Sequence, residues 1–419
     1  MILSAFCFGQ DSSGIAIVPH GFASMEWGQV VNGYDKNVGD ISHVAFDRIY
    51  LGIGLNVRLS EKTNLMGRLD VKAFNEFPRL LNPGATRRYY YYFYLHQAEL
   101  IHHLYNNNGL RVDVGGGYFP YKYDENARNL GEYLFRSTAY PQTLTTEFDM
   151  PWARLAGFYA RSSYESGANT INFDCIANLN TEWMAVGDLN LTLIAGYNFA
   201  HWFEIGAGVQ FASLVSADES ATTPHDIQTE YLSGNDTSQY YTFRGTKVMG
   251  RFALDPKKLL PIDAFGSEDL KIYGEATILG VKDYGLALHS PVWYNSILER
   301  IPVMLGFNVP AFKILDVLSF EGEWWGNRYP NSMEGIVTEG LPLPFLKSTK
   351  TVDSTLYKND NIKWSIFGAK TFAGRYRLSF QAASDHMRTF AWDWNRQDWE
   401  ESLRGPKKWS YVVKFAVLF

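Results

Sequence analysis

The chain has 419 residues, with 26 Tyr, 28 Phe, 12 Trp and 36 Gly, two Cys and a formal net charge of -6. No segment supplies the run of about 18 or more apolar residues that a membrane-crossing helix needs, and mean hydropathy is mildly polar at -0.20. The acidic balance argues against a nucleic-acid surface, which needs clustered Lys and Arg; Cys7 and Cys175 have no zinc spacing and make no evident disulfide framework. Such a composition suits a sheet in which only every second residue meets an apolar environment. A large soluble sandwich or propeller is the competing reading.

In chain order, residues 1–9 form a short apolar stretch ahead of Gln10-Asp-Ser-Ser-Gly14. They read as the tail of a secretory signal peptide lacking its basic start, cut near Gly9; an ordinary first strand is the alternative. Phe6 before Cys7 fits a lipoprotein cleavage site poorly, so lipidation is not expected. Residues 10–419 then read as one domain of about sixteen strands, within a range of 14–18. They are expected near residues 14–31, 45–59, 63–74, 89–104, 109–121, 152–164, 170–183, 188–198, 201–214, 239–253, 269–280, 299–308, 312–326, 360–372, 374–385 and 408–419. The signal is period-two alternation. Ile49, Leu51, Ile53, Leu55 and Val57 alternate with Arg48, Tyr50, Gly52, Gly54 and Asn56; Phe203, Ile205, Ala207 and Val209 alternate with Glu204, Gly206, Gly208 and Gln210. The parity of 89–104 and 239–253 is ambiguous, as a bulge would make it.

Connections alternate in length. Short turns follow the even strands, at Ser60–Thr63, Asn106–Asn108, Glu165–Gly167, Ala200, Val309-Pro310 and Ala373-Gly374, with Asp255–Glu268 as the exception. Long polar, aromatic connections follow most odd strands, near 122–151, 215–238, 281–298, 327–359 and 386–407, and the short one at Ala185–Asp188 fits less well. With both termini periplasmic, the long connections face outside.

The last strand is the most informative. Trp409, Tyr411, Val413, Phe415, Val417 and Phe419 alternate with Ser410, Val412, Lys414, Ala416 and Leu418. This stretch of about ten residues resembles the closing strand of bacterial outer-membrane β-barrels, which ends in an aromatic read by the barrel-assembly machinery; Lys414 stands where that signal often has Gly. The resemblance implies an all-β, closed antiparallel transmembrane barrel of porin-like kind in the cell outer membrane of a Gram-negative envelope. Trp409, Tyr411, Phe415 and Phe419 then face outer-membrane lipid and lipopolysaccharide.

On that parity, Arg48, Arg58, Arg68, Lys72, Lys363, Arg375, Arg377 and Lys414 face the lumen around the closing seam, and Asp174, Glu182 and Glu204 lie across it. Opposed basic and acidic walls make a transverse field over a wet pore. Local pairing, with Asp70 beside Arg68 and Lys72, is the other reading. In sixteen-stranded general porins the loop after the fifth strand folds inward. Residues 122–151 occupy that place, with Leu130, Tyr133, Leu134 and Phe135 as wall anchors and Asp124, Glu125, Arg128 and Arg136 left for the pore. Trp392, Trp394 and Trp399 beside Asp393, Asp398 and Glu400 suit either a sugar site or the outer aromatic girdle.

No phosphate loop, His-Glu-x-x-His or nucleophile elbow is present. His102 and His103 point to opposite faces of a strand, and Asp174 and Glu182 lie ~26 Å apart along one. No enzyme activity, metal or cofactor is expected. The function expected is passive diffusion of small hydrophilic solutes, with a non-conducting anchor or scaffold for a surface protein assembly as the alternative. A homo-trimer or a surface protein partner is left open, and no nucleic acid is expected.

Overall fold

The computed structural model describes residues 15–35, 39–75, 90–136, 153–180, 186–215, 245–259, 263–281, 297–325, 361–387 and 401–419. Among them, sixteen strands close into one barrel. They are β1 (Ala16–Asn32), β2 (Ala45–Arg58), β3 (Thr63–Asn75), β4 (Tyr90–Asn107), β5 (Leu110–Tyr121), β6 (Ala153–Ser166), β7 (Asn169–Asn180) and β8 (Val186–Phe199). There follow β9 (Phe203–Val215), β10 (Gly245–Leu254), β11 (Ile272–Ile278), β12 (Pro302–Asn308), β13 (Val317–Trp325), β14 (Ile362–Phe372), β15 (Tyr376–Ser384) and β16 (Trp409–Leu418). Each strand pairs antiparallel with its predecessor, and β1 pairs with β16 from Phe22↔Leu418 to Asn32↔Trp409. A small hairpin, Tyr34–Asp35 with Gly39–Asp40, lies between β1 and β2. Residues 1–14, which include the expected leader, lie outside the described residues.

The closing pair is completed by two backbone bonds, Gly21 N–H to Phe419 O at 2.6 Å and Phe419 N–H to Gly21 O at 2.9 Å. Pairing of every strand on both sides is what lets a sheet sit in hydrocarbon, where no water is available to unpaired backbone groups. The outer face matches. Ile49, Leu51, Ile53 and Leu55 are exposed, while Tyr50, Gly52 and Gly54 between them are buried inward. Trp409, Tyr411, Phe415 and Phe419 share the outward parity of the seam, where Trp27 meets Tyr411 edge-on and Tyr376 stacks on Phe415. The register also aligns Ala195, Ala207, Gly250 and Ala276 side by side on the outer face of β8–β11.

The ambiguous parity of the fourth strand has a physical cause. The β3–β4 register slips between Arg68 and Leu69, so His96 and Gln97 both turn inward, and a second slip at His103/Tyr105 isolates Leu104. The described part of β10 carries no such slip on either side. At the β4–β5 turn Asn108 and Gly109 have φ of 53° and 77°, the left-handed pair that a two-residue hairpin demands.

One rim carries the start of β1, the end of β16 and the short turns. The expected turn at Val309-Pro310 extends to Asp316, and β13 starts at Val317 rather than near 312. The cause lies in the neighbouring connection, whose buried Asp269 carboxylate accepts the N–H groups of Gly266, Ala311 and Phe312. Phe265 stacks on Phe312, so the two segments form one cap over the β11–β13 side of this rim. Residues 122–136, 385–387 and 401–408 emerge at the other rim.

Two measurements check the orientation and the lipid face. A membrane-impermeant maleimide on intact cells should label Lys407→Cys and leave Asn108→Cys untouched; the reverse pattern would invert the barrel. Ile53→Arg, on the exposed outer face, should lower unfolding free energy in lipid vesicles by about 2–4 kcal/mol. Tyr50→Arg, inward on the same strand, would instead be destabilising by setting a third cation beside Lys72 and Lys414, and should lack any dependence on bilayer thickness.

Candidate functional site: the lumen and its inserted loop

After Tyr121 the chain does not leave the barrel but turns into it. Residues 122–136 end in one helical turn, α1 (Tyr133–Arg136), and their backbone N–H groups find no strand to pair with. Carboxylates on the opposite wall take that place. Glu321 accepts the N–H groups of Arg128, Asn129 and Leu130 at 2.5, 2.8 and 2.9 Å, and the Tyr273 hydroxyl at 2.9 Å. Glu275 accepts the N–H groups of Glu132 and Tyr133 at 2.7 and 2.9 Å, and the Tyr123 hydroxyl at 2.7 Å. Glu323 accepts the Tyr133 hydroxyl at 2.6 Å. A buried N–H left without an acceptor costs about 1–3 kcal/mol, so these acceptors are what make the loop's entry into the barrel tolerable. Gly131 and Glu132, with φ of 90° and 60°, make the turn that aims successive N–H groups at the two acids. The Glu132 side chain closes the loop on itself by accepting Tyr123 N–H and Asp124 N–H.

The second attachment is apolar. Tyr123, Leu134 and Phe135 pack with Phe119, Tyr121, Leu155, Tyr159, Ile176, Ile194 and Met249. A Cβ at Gly208 would stand 2.7 Å from Leu134 Cδ1, so the wall is cut back to glycine where this leucine seats. Leu130 and Tyr133 are buried too. Of the four residues expected to point into the pore, Glu125 is exposed, and Arg128 is partly exposed and bound to Glu268 at 2.7 Å. Asp124 is fully buried, its carboxylate turned to Asn126 N–H, and so does not face open lumen. The Arg136 side chain lies outside the described residues.

Most of the described lumen charges have a neighbour of opposite sign or an aromatic face. Glu26 lies 3.6 Å from Arg48 and 3.4 Å from Lys414. Arg68 holds Asp70 through two bonds of 2.7 and 2.8 Å, and Lys72 sits 5.1 Å from the Tyr50 ring centre. Lys363 lies 2.7 Å from Glu401. Across the barrel Glu204 pairs with Arg251 at 2.5 Å, and Asp174 accepts the Tyr121 hydroxyl and is register partner of Arg161. Arg58 and Arg375 are exposed at the short-turn rim, with Arg377 half-buried beside Thr371. Glu182 and the tryptophan cluster at 392–399 lie outside the described residues. Instead of two bare walls of opposite sign, the lumen has charges compensated locally.

Exposure changes along the axis. On the β4–β10 side toward the short-turn rim, His103, Asp113, Arg161, Glu204 and Arg251 keep partial exposure. From mid-height toward the other rim, Glu26, Arg48, Asp70, Lys247, Glu275, Glu321, Glu323 and Lys363 are buried. The described lumen is wet at one end and packed at the other. His102 and His103 are bonded separately, to Thr63 and to Asn64 and Asp113, and no group of three or more metal-ligating side chains occurs among the described residues.

Glu275, Glu321, Glu323 and His386 were not singled out from the sequence. A signal existed in Phe320-Glu-Gly-Glu-Trp324, where two carboxylates share the inward parity of one strand. His386, beyond the end of β15, bridges Glu323 at 2.8 Å and Glu401 at 2.6 Å. Burial alone would push its pKa down; the two carboxylates outweigh burial and hold it up, to about 10 against an ordinary 6.5.

With this geometry, the chain is similar in fold to Pseudomonas putida OprB in its high-pH structure. The alignment covers 97% of this chain and 94% of that chain, with 9% identity and a TM-score of 0.50. A mutant of the Rh. blastica porin aligns over 96% of this chain and 100% of that chain, with 10% identity and a TM-score of 0.45. No protein-family model matches the sequence, and no curated protein does. The fold is that of a porin-like outer-membrane barrel.

A raised pKa on a cation adds stability that is complete below the unfolded value, 6.5, and is lost as pH rises through the folded value, about 10. Protease resistance of the segment 122–136 in the refolded barrel should therefore be greatest below pH 6.5, decline as pH rises toward about 10, and change no further through this group above that. His386→Gln should flatten that profile. Glu321→Ala, which removes the acceptor of three backbone N–H groups, should make the segment cleavable at neutral pH; a segment equally protected in this variant would show that the acid does not hold it.

Proposed function

We propose that this chain is a passive channel for small hydrophilic solutes in the outer membrane, narrowed by residues 122–136. The observation that carries the reading is the partly exposed set of lumen charges below the inserted loop, from Asp113 round to Arg251, inside a barrel whose outer face is apolar. Water and solute enter this charged half from the short-turn rim, read as the periplasmic one because short turns face that side in outer-membrane barrels. The inserted loop then sets the width of the path, and the compensated charges around it set which solutes pass. Lipid and lipopolysaccharide contact the aromatic outer wall, and the aromatic face of β16 is the surface offered to the barrel-assembly machinery. No catalytic chemistry enters this reading.

A second reading is favoured by one observation. Glu26, Arg48, Lys363 and Lys414 are buried rather than water-lined, as expected of a closed barrel that anchors or scaffolds a surface assembly. Single-channel recording of the refolded protein in planar bilayers separates the two: discrete, salt-dependent steps are expected for the channel, and silence at every voltage would favour the scaffold. In a conducting channel, Arg377→Glu should move the reversal potential in a potassium chloride gradient toward cations. The shift should be small, because charges at a wet mouth are screened within ~8 Å at physiological salt. Lys414→Glu would face Glu26 and should destabilise the seam rather than tune ion choice.

A further inference from the structure

The loop 122–136 is not the only chain inside the lumen. Residues 385–387 and 401–405, the two ends of the last long connection, also turn inward. Met387 and Leu403 are fully buried in an apolar cluster with Val30, Ile41, Phe46, Val317, Phe367 and Val412, all on the seam side of the barrel. Met387 O accepts Ser402 N–H at 2.8 Å, joining the two ends, and Ser384 Oγ and Trp364 Nε1 donate to Gly405 O and Pro406 O. Tyr34 N–H donates to Ser402 O, so the first connection is tied to the last. This body has its own apolar seat, separate from the one under Leu134 and Phe135.

The two inserted bodies touch through polar groups. Asn129 Nδ2 donates to Asp385 at 2.9 Å. Tyr133 donates to Glu323, which His386 bridges to Glu401, and Lys363 closes the line 2.7 Å from Glu401. Each apolar seat resists removal of its own body, whereas the line between them is built of hydrogen bonds and ion pairs that water can replace. Once water enters and rehydrates both partners, the net contribution of such a hydrogen bond is only about 0.5–1.5 kcal/mol.

We infer that the lumen is closed by two opposed wedges, residues 122–136 and residues 385–387 with 401–405, and that solute passes where they separate along the line from Asn129–Asp385 to Tyr133–Glu323–His386–Glu401. The inference rests on the channel reading and adds to it the second wedge, the place of opening and the residues that line it. The path so defined is rich in carboxylates, with Glu323, Asp385 and Glu401 against His386 and Lys363, so small cations are the class it favours when parted.

The test uses the full chain in planar bilayers with potassium chloride. Asn129→Cys with Asp385→Cys, in a background with Cys7→Ser and Cys175→Ser, is bridged by a short, reducible bis-methanethiosulfonate reagent. Bridging should abolish conductance and reductant should restore it. Independently, Leu403→Asp unseats the second wedge while the first stays on Glu275 and Glu321, and should raise conductance several-fold. Should that variant fail to fold, the bridged pair still decides. Unchanged conductance on bridging, or equal conductance of wild type and Leu403→Asp, would overturn the second wedge and leave the channel reading intact. Current through Leu403→Asp with none through wild type would keep both wedges and sink the open-channel reading. No current through any form would overturn both.

Discussion

Every backbone N–H and C=O group within hydrocarbon has to find its partner inside the chain, because lipid offers none. In this protein that single requirement is met by bringing β16 back to β1, and the rest follows from it. Closure forces each strand to present alternate residues to lipid and to the interior, so the outer face is largely apolar and most charged strand side chains are sent inward, with Gln29, Asp47 and Lys370 near the rims among the exceptions. It also confines irregular backbone to the rims, to the lumen and to a few register slips. The interior receives more charge than water at the packed end can solvate, and each charge is met by a neighbour, as Glu26 is by Arg48 and Lys414.

The same requirement operates a second time inside the barrel. A loop that enters the lumen brings unpaired N–H groups into a space with little water. Glu275 and Glu321 answer as a strand edge would, offering acceptors in series. A carboxylate has two oxygens and room for several donors, so two side chains serve five backbone N–H groups. The wall needs no bulge or extra strand to hold the loop, only acids at the right parity. Burial of these acids would be unfavourable without the donors they collect.

The fold was legible because parity is a local property. Ile49 to Val57 and Trp409 to Phe419 announce their two environments without reference to any other strand. In β4 parity failed where bulges break it, at His96 and Leu104, and those slips are set by the partner strand. The cap at 255–271 and 309–316 was missed for a similar reason. Phe312 and Lys313 adopt left-handed backbone at φ of 49° and 63°, which no glycine signals and which only the distant Asp269 makes favourable. The inserted loop was legible by position and by its apolar run, but its polar anchors were not. Glu321 looks like any other inward carboxylate until the loop is seen lying against it. Asp124 was misjudged because a charged residue in a loop is ordinarily solvated, whereas this loop packs inside the barrel.

The wet and packed halves of the lumen differ as electrical media. With the two proposed wedges closed, the packed half would conduct less than the half whose charges are exposed, so a membrane potential would fall mainly across the packed half. The distance over which it falls is then shorter than the bilayer, and the field there is correspondingly stronger. A unit charge moved through the full drop changes energy by roughly 2.3 kcal/mol per 100 mV. His386, Glu323, Glu401 and Lys363 all sit in that half, and any relative shift of the bodies that carry them moves charge along the field. The polar line inside this barrel is therefore placed to feel the potential of the envelope, while Arg375 and Arg58, out at the conducting rim, feel almost none of it.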